Sequence, residues 1–400
     1  MIKGIKKSLF IEITNSNVTF LAIDLDDDLN INKNFFKSVE FKNFKNGKIN
    51  DYEVCKKFII DQVTDIEKKT DLNFNEINLS TDFENYESLN ISGFKKLSGS
   101  QISKSDISLI LNRIKNIIFE ADNSKSIIHI FNSNFFLDNE KCENLPIGLY
   151  GDFYHHHLSV FLVNKNNIKN FQKLFGECNL NLNRIIIKSF VDGVKVIENQ
   201  NINTFFKIDL NDNQIKISLF DESSLIYFEH FNFGLNFIYK DLSKVCSLSE
   251  LSVKKILSEI SFDGDNLLNN FLDKDFFINE KYRKLSLIHL KNIIEARIEE
   301  MIDISFNNNI NIIDFKKPNR KIFLNIRNKD ISKNLANTIT SKINLNSRVQ
   351  ILNKAQDEHN DISIINAAEI IVKGWHKEAL PLIQPKKSII SRFFSSLFNN

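Results

Sequence analysis

Two short segments, roughly 200 residues apart, constrain this chain more than any other feature. Ile11-Glu12-Ile13-Thr14-Asn15-Ser16-Asn17-Val18 and Ile208-Asp209-Leu210-Asn211-Asp212-Asn213-Gln214-Ile215 share one pattern: apolar, acidic, apolar, polar turn formers, apolar. Asn and Asp tolerate the positive φ of tight turns, so each segment reads as a β-hairpin with an acidic residue near the end of its first strand. The pair points to a duplicated α/β unit, although polar hairpin turns also occur in β-rich chains without duplication.

Residues 51–69 carry helical spacing (Val54, Phe58, Ile59, Val63, Ile66), and 106–121 repeat it. Strands are expected at 126–132, 157–163 and 184–187, with a helix at 167–178. Beyond the second hairpin, helices are expected at 241–260, 284–304, 332–343 and 362–374, and a strand at 321–326. Such alternation implies an α/β fold in two lobes.

At 400 residues the chain exceeds one ordinary core. A hydrophobic content of 42% with 26% charged residues excludes disorder as its main state. The 52 basic and 50 acidic residues leave a formal charge of +2, which removes any general electrostatic case for nucleic acid. Cys55, Cys142, Cys178 and Cys246 form no Cys-x-x-Cys pair, so neither a zinc site nor a disulfide framework is suggested, and a reducing cytoplasm fits. Glu12 breaks the first apolar stretch, so no signal peptide is expected. No run of about 20 apolar residues could span a membrane.

Three collinear segments carry a family resemblance. Asn144-Leu145-Pro146-Ile147-Gly148-Leu149-Tyr150-Gly151 is similar to an Asn-Pro-x-Gly-Leu-x-Gly segment, and Lys45-Asn46-Gly47-Lys48-Ile49-Asn50-Asp51 to a Lys-x-Gly-x-Ile-x-Asp helix entry. Ile293-Ile294-Glu295-Ala296-Arg297-Ile298-Glu299-Glu300 is similar to an Ile-Ile-Glu-x-Arg-x-Glu-Glu helix. Together they resemble the FtsA family of actin-like bacterial cell-division proteins.

The resemblance implies an α/β, actin-like (ribonuclease-H-like) two-lobed fold with an FtsA-type subdomain inserted in the first lobe. Residues 1–83, completed by about 164–198 and 362–380, would form the first-lobe core, and 84–163 the insertion. The second lobe would take 199–361, and 381–400 would be a linker and a membrane-targeting helix. A small subdomain at about 241–299 would bind the C-terminal tail of the tubulin-like protein FtsZ. Arg297 lies on the helix that contacts this acidic tail in the family; a surface salt bridge within the chain is the alternative. The resemblance also implies self-association into filaments, other divisome partners, and a peripheral place on the cytoplasmic face of the inner membrane at the septum.

In actin-like sites, glycines let backbone N–H groups approach phosphate while an acidic residue positions hydrated magnesium. Here the acidic positions persist as Glu12 and Asp209, and the glycines do not. Glu12-Ile13-Thr14-Asn15 stands for Asp-Ile-Gly-Thr, and Asp209-Leu210-Asn211-Asp212-Asn213-Gln214 for Asp-Ile-Gly-Gly-Gly-Thr. Asp212 would repel a phosphate by about 4 kcal/mol at about 4 Å and an effective dielectric of about 20. Asn325-Ile326-Arg327-Asn328 replaces the adenosine motif Thr-Gly-Gly-Ala, although Arg327 offers a cation to a phosphate. The expectation is a non-hydrolysing scaffold with no ATP and magnesium, or weakly bound ATP and magnesium, at Glu12, Asp209 and Arg327. The alternatives are an active ATPase with an atypical site, or an actin-like assembly factor of a surface-fibre apparatus.

At roughly 100° per residue, Ile389, Ile390, Phe393, Phe394, Leu397 and Phe398 share one helical arc, and Ser388, Ser391, Arg392, Ser395 and Ser396 the other. Such a helix suits an anionic membrane interface, with Lys386, Lys387 and Arg392 meeting lipid headgroups. A terminal helix docked on the protein's own core is the alternative. One short helix binds weakly, so a polymer or the FtsZ ring would supply avidity. His155-His156-His157 falls on an expected strand, where neighbouring side chains point to opposite faces, so no metal site is expected.

Overall fold

The computed structural model describes residues 7–25, 31–262, 270–317, 320–343, 349–352 and 361–381. The amphipathic segment 386–398 lies outside the described residues. The chain divides into two compact units: 1–203 with 220–226 and 357–400, and 204–219 with 227–356.

In the first unit, β1 (Lys7–Ile13), β2 (Asn17–Leu25) and β3 (Ile31–Glu40) form an antiparallel meander. The Thr14 N–H closes the first turn by donating to the Asn17 carbonyl at 2.9 Å. Asn46 and Gly47 join β4 (Phe44–Lys45) to β5 (Lys48–Ile49) at φ 52° and 69°, a left-handed geometry that these two residues accept most readily. Asp51 then caps α1 (Tyr52–Thr70) by accepting from the Val54 N–H at 3.1 Å, a contact worth about 1 kcal/mol. β6 (Glu76–Thr81) returns parallel to β1.

The next strands, β7 (Tyr86–Lys96), β8 (Lys125–Leu137), β9 (Glu140–Cys142) and β10 (Phe153–Asn164), build a separate sheet, with α2 (Lys104–Ala121) following β7. Its Ile130, Leu158, Val160 and Leu162 share a core with Ile107, Ile110, Leu111 and Ile114 of α2. Gly93 lets the helix approach: a Cβ there would sit 2.1 Å from Ile110. After α3 (Lys165–Gly176), β11 (Asn181–Ile187) completes the first sheet in the order β11-β6-β1-β2-β3, and α4 (Lys188–Gln200) follows at once.

The second half of the chain repeats this plan. β12 (Phe205–Leu210), β13 (Ile215–Asp221) and β14 (Ser224–Phe231) precede the helices α5 (Asn236–Val245), α6 (Glu250–Glu259) and α7 (Leu287–Ile302). β15 (Lys321–Ile326), α8 (Lys329–Ser341) and β16 (Val349–Ile351) follow, and the sheet runs β14-β13-β12-β15-β16. β12, β15 and β16 are parallel, and the Asn211 N–H closes the hairpin turn on the Gln214 carbonyl at 2.9 Å. Matching strand order and matching turn closure establish the duplication that the sequence pattern left open. α9 (Asp361–Lys373) and β17 (Glu378–Pro381) belong to the first unit: Ile364, Ala368 and Val372 pack with Phe10, Leu21 and Ile23, and β17 pairs antiparallel with β8.

Two helix expectations need correction. The helix read at 241–260 is two, because Ser247 adopts φ 50° and the Ser249 hydroxyl starts α6 by accepting from the Ser252 N–H at 3.2 Å. Apolar spacing continues across this break and conceals it. The helix read at 284–304 ends at Ile302 and passes into a π turn over Asp303–Asn307, where Lys316 donates to the Asn307 carbonyl at 2.7 Å.

Candidate functional site

Carboxyl ends of parallel strands are where α/β sheets hold ligands, and both hairpin acids lie there. In the first unit Glu12 is only 5% exposed. Lys188, the first residue of α4, places its Nζ 3.4 Å from Glu12 Oε2 and 3.1 Å from Asp192 Oδ1, one helical turn on. The packing of α9 on β1 and β2 brings Ser363 to the same point. Its Oγ lies 2.6 Å from Lys188 Nζ, 2.8 Å from Glu12 Oε2 and 3.1 Å from Asp192 Oδ1. Burial pushes the Glu12 carboxyl upward, against the pull of Lys188. Burial alone would lower the Lys188 ammonium, but Asp192, Glu12 and Asp82 outweigh it and raise it, so the lysine is the firmer charge of the pair.

The neighbouring turns are tied to one another and to α4 by side chains. Asn15 accepts from the Asn46 N–H at 2.6 Å and donates from Nδ2 to Asn46 Oδ1 at 2.9 Å. Asp82 accepts from the Ser189 N–H and hydroxyl at 3.0 and 2.8 Å, which occupies the start of α4.

In the second unit Asp209 is 6% exposed and takes one oxygen to the ammonium of Lys207, itself 3% exposed. Its other oxygen accepts from Asn325 Nδ2 at 2.7 Å, across the β12–β15 pair. The turn carbonyls of Asn211 and Asp212 accept from the Leu235 and Asn236 N–H groups at the start of α5, at 3.0 and 2.8 Å. This contact needs Gly234, where a Cβ would lie 2.3 Å from the Asn211 carbonyl. Asn236 also donates to Asn213 Oδ1 at 2.8 Å. Arg327 is exposed just past β15; its backbone N–H donates to the Leu210 carbonyl at 3.0 Å, and its side chain makes no hydrogen bond or ion pair with another described residue.

These residues do not fit a magnesium–nucleotide site of the kind the family resemblance implies. Neither carboxylate can meet a hydrated metal without giving up a lysine, and helix N–H groups that would face phosphate are bonded to Asp82 or to turn carbonyls. The sequence reading missed Lys188, Asp192, Ser363, Lys207 and Asn325. Lys207 was findable, because a lysine two residues before an acid on an apolar strand shares its face; Ser363 left no local signal.

Sequence relatives bear on the family. The chain is 21% identical over 297 residues to the cell division protein FtsA of Buchnera aphidicola (subsp. Acyrthosiphon pisum), covering 74% of this chain and 71% of that protein. The FtsA of Neisseria meningitidis serogroup B matches with the same identity and coverage. This chain is FtsA-like. No family model matches it. Its fold is actin-like: the PilM–PilN type IV pilus biogenesis complex superposes with TM-score 0.50 at 9% identity, over 90% of this chain and 95% of that one.

In the FtsA-like chain Arg297 projects from α7 and pairs with Asp241 of α5 and, at 2.6 Å, with Glu300, while its guanidinium lies 5.6 Å from the centre of the Phe237 ring. The intrachain salt bridge is therefore present. His156 is buried and pairs through Nε2 with Asn132 Oδ1 at 2.8 Å, and burial holds its imidazole down at about 3. His155 and His157 lie on the other face of β10, beside Phe94 and Phe136. Among the described residues no group of three metal-binding side chains converges, and no helix is long and apolar enough to cross a membrane.

A further buried cluster ties β17 down. Glu378 pairs with Arg184 of β11 and, at 2.6 Å, with His129 Nδ1 of β8. The Ile187 N–H donates to His129 Nε2 at 3.2 Å, which fixes a neutral imidazole protonated at Nδ1. Burial would raise Glu378, but Arg184 and His129 hold it at about 2.

Proposed function

We propose that this protein is a cell-division scaffold that tethers the FtsZ ring to the cytoplasmic face of the inner membrane and recruits divisome partners, with ATP binding lost or much weakened and no hydrolysis. The observation that carries the reading is the relation to FtsA across about three-quarters of the chain. The weakened nucleotide site is supported by Lys188 and Lys207, which already neutralise the two acids that would meet magnesium. In this reading residues 84–163 are the inserted subdomain, 241–299 the FtsZ-binding subdomain and 381–400 the linker and membrane helix. The likeness to PilM is one of fold alone and does not favour the surface-fibre alternative.

The membrane role is tested by vesicle co-sedimentation of the intact chain against one ending at Pro385. Loss of binding on truncation is expected; equal sedimentation of both removes the tether. An acidic FtsZ-tail peptide must displace Asp241 or Glu300 to reach Arg297, so Arg297→Glu is expected to abolish peptide binding. Calorimetry with magnesium and ATP tests the third element: micromolar, magnesium-dependent affinity would overturn the weakened site.

A further inference from the structure

We propose that Lys188 is a built-in counter-cation that takes the place of a divalent metal at Glu12, so that the first unit keeps its carboxylate-bearing end closed with no metal bound. The inference rests on the weakened nucleotide site proposed above and concerns how that weakening is built.

Three oxygens from three separate segments surround one ammonium: Glu12 Oε2 of β1 at 3.4 Å, Asp192 Oδ1 of α4 at 3.1 Å and Ser363 Oγ of α9 at 2.6 Å. Ser363 also touches both carboxylates, at 2.8 and 3.1 Å. An exposed ion pair joins two side chains that water could hold apart. Here the Glu12 and Lys188 side chains are only 7% and 20% exposed, and two carboxylates converge on the one ammonium. Hard divalent cations gather several oxygens at once, and the lysine gathers the same set. The second unit reaches an equivalent state from different residues, with Lys207 on one oxygen of Asp209 and Asn325 on the other.

The test is thermal melting of the full-length protein and of Lys188→Met, each after chelator treatment, with and without millimolar magnesium or calcium. The wild type is expected to melt at one temperature in all conditions. Lys188→Met is expected to melt about 10 °C lower, to recover part of that loss with either cation, and to lose the recovery when Glu12→Gln is added. Should Lys188→Met fail to fold, the double variant carries the test: with both partners removed it must fold, melt within a few degrees of the wild type and ignore the cations. A wild type stabilised by either cation alone, a Lys188→Met protein that melts like the wild type or ignores both cations, or a double variant as unstable as the single one overturns the proposal. Magnesium–ATP calorimetry on the wild type keeps the two readings apart. Tight nucleotide binding removes the weakened site, while a response to bare cations confined to Lys188→Met still supports the counter-cation.

Discussion

The two hairpins carry an acid at the same register of the same strand plan and neutralise it by different routes. Glu12 depends on α4 and on Ser363, which lies 351 positions away in sequence, so its neutralisation exists only once α4 and α9 have docked. Asp209 depends on Lys207, two positions earlier on its own strand, and on Asn325 of the adjacent strand. The first arrangement is a product of tertiary packing and the second is nearly local. A duplicated fold can thus keep a charged position in both halves while each half finds its own way to silence it.

The largest expected effect strikes the local route. Lys207→Met leaves Asp209 buried and short of its cation, which is expected to cost about 3–5 kcal/mol in urea denaturation. Adding Asp209→Asn should restore most of the loss; a near-neutral Lys207→Met would show that the second hairpin does not need its lysine.

Acid should sharpen the contrast between the units, because His129 and His156 are buried in the first. With the folded His156 held at about 3, its contribution to stability is complete above the ordinary value near 6.5. As pH falls below about 6.5, the unfolded chain gains a proton that the folded one refuses, and stability drops by about 1.4 kcal/mol per pH unit until about pH 3. Hydrogen-exchange protection factors along β8 and β10, corrected for the intrinsic rate at each pH, should fall with acid before those along β12 and β15, and His156→Gln should flatten the slope.

Smaller effects test the turns themselves. Asn15→Ala removes two hydrogen bonds to Asn46 and is expected to cost about 1–2 kcal/mol, whereas Asn213→Ala removes one to Asn236 and should cost about 0.5–1.5 kcal/mol by chemical denaturation. The reverse ranking would place the tighter clamp in the second unit.

Much of this architecture was legible in the chain. The apolar–acidic–apolar pattern marked both hairpins, and helical spacing placed α1, α2 and α9 to within a few residues. The break between α5 and α6 was hidden because a serine in left-handed geometry leaves the apolar period intact. At the site, Glu12 and Asp209 were visible through the family resemblance, and Lys207 could have been caught from strand alternation. Ser363 could not: nothing in its neighbourhood of sequence reveals that Ile364, Ala368 and Val372 will carry it over β1. Glu378 and Arg184 were hidden for the same reason, since charged residues in two short strands declare their partnership only when the strands meet.

The anchoring of β17 has a mechanical consequence. Tension applied beyond Pro381 would travel along a strand laid antiparallel on β8, so the ladder bonds share the load in shear, whereas a peeled end would yield them singly. Glu378, gripped by Arg184 and His129 at the head of that strand, then acts as a rivet, passing the pull into both sheets of the first unit.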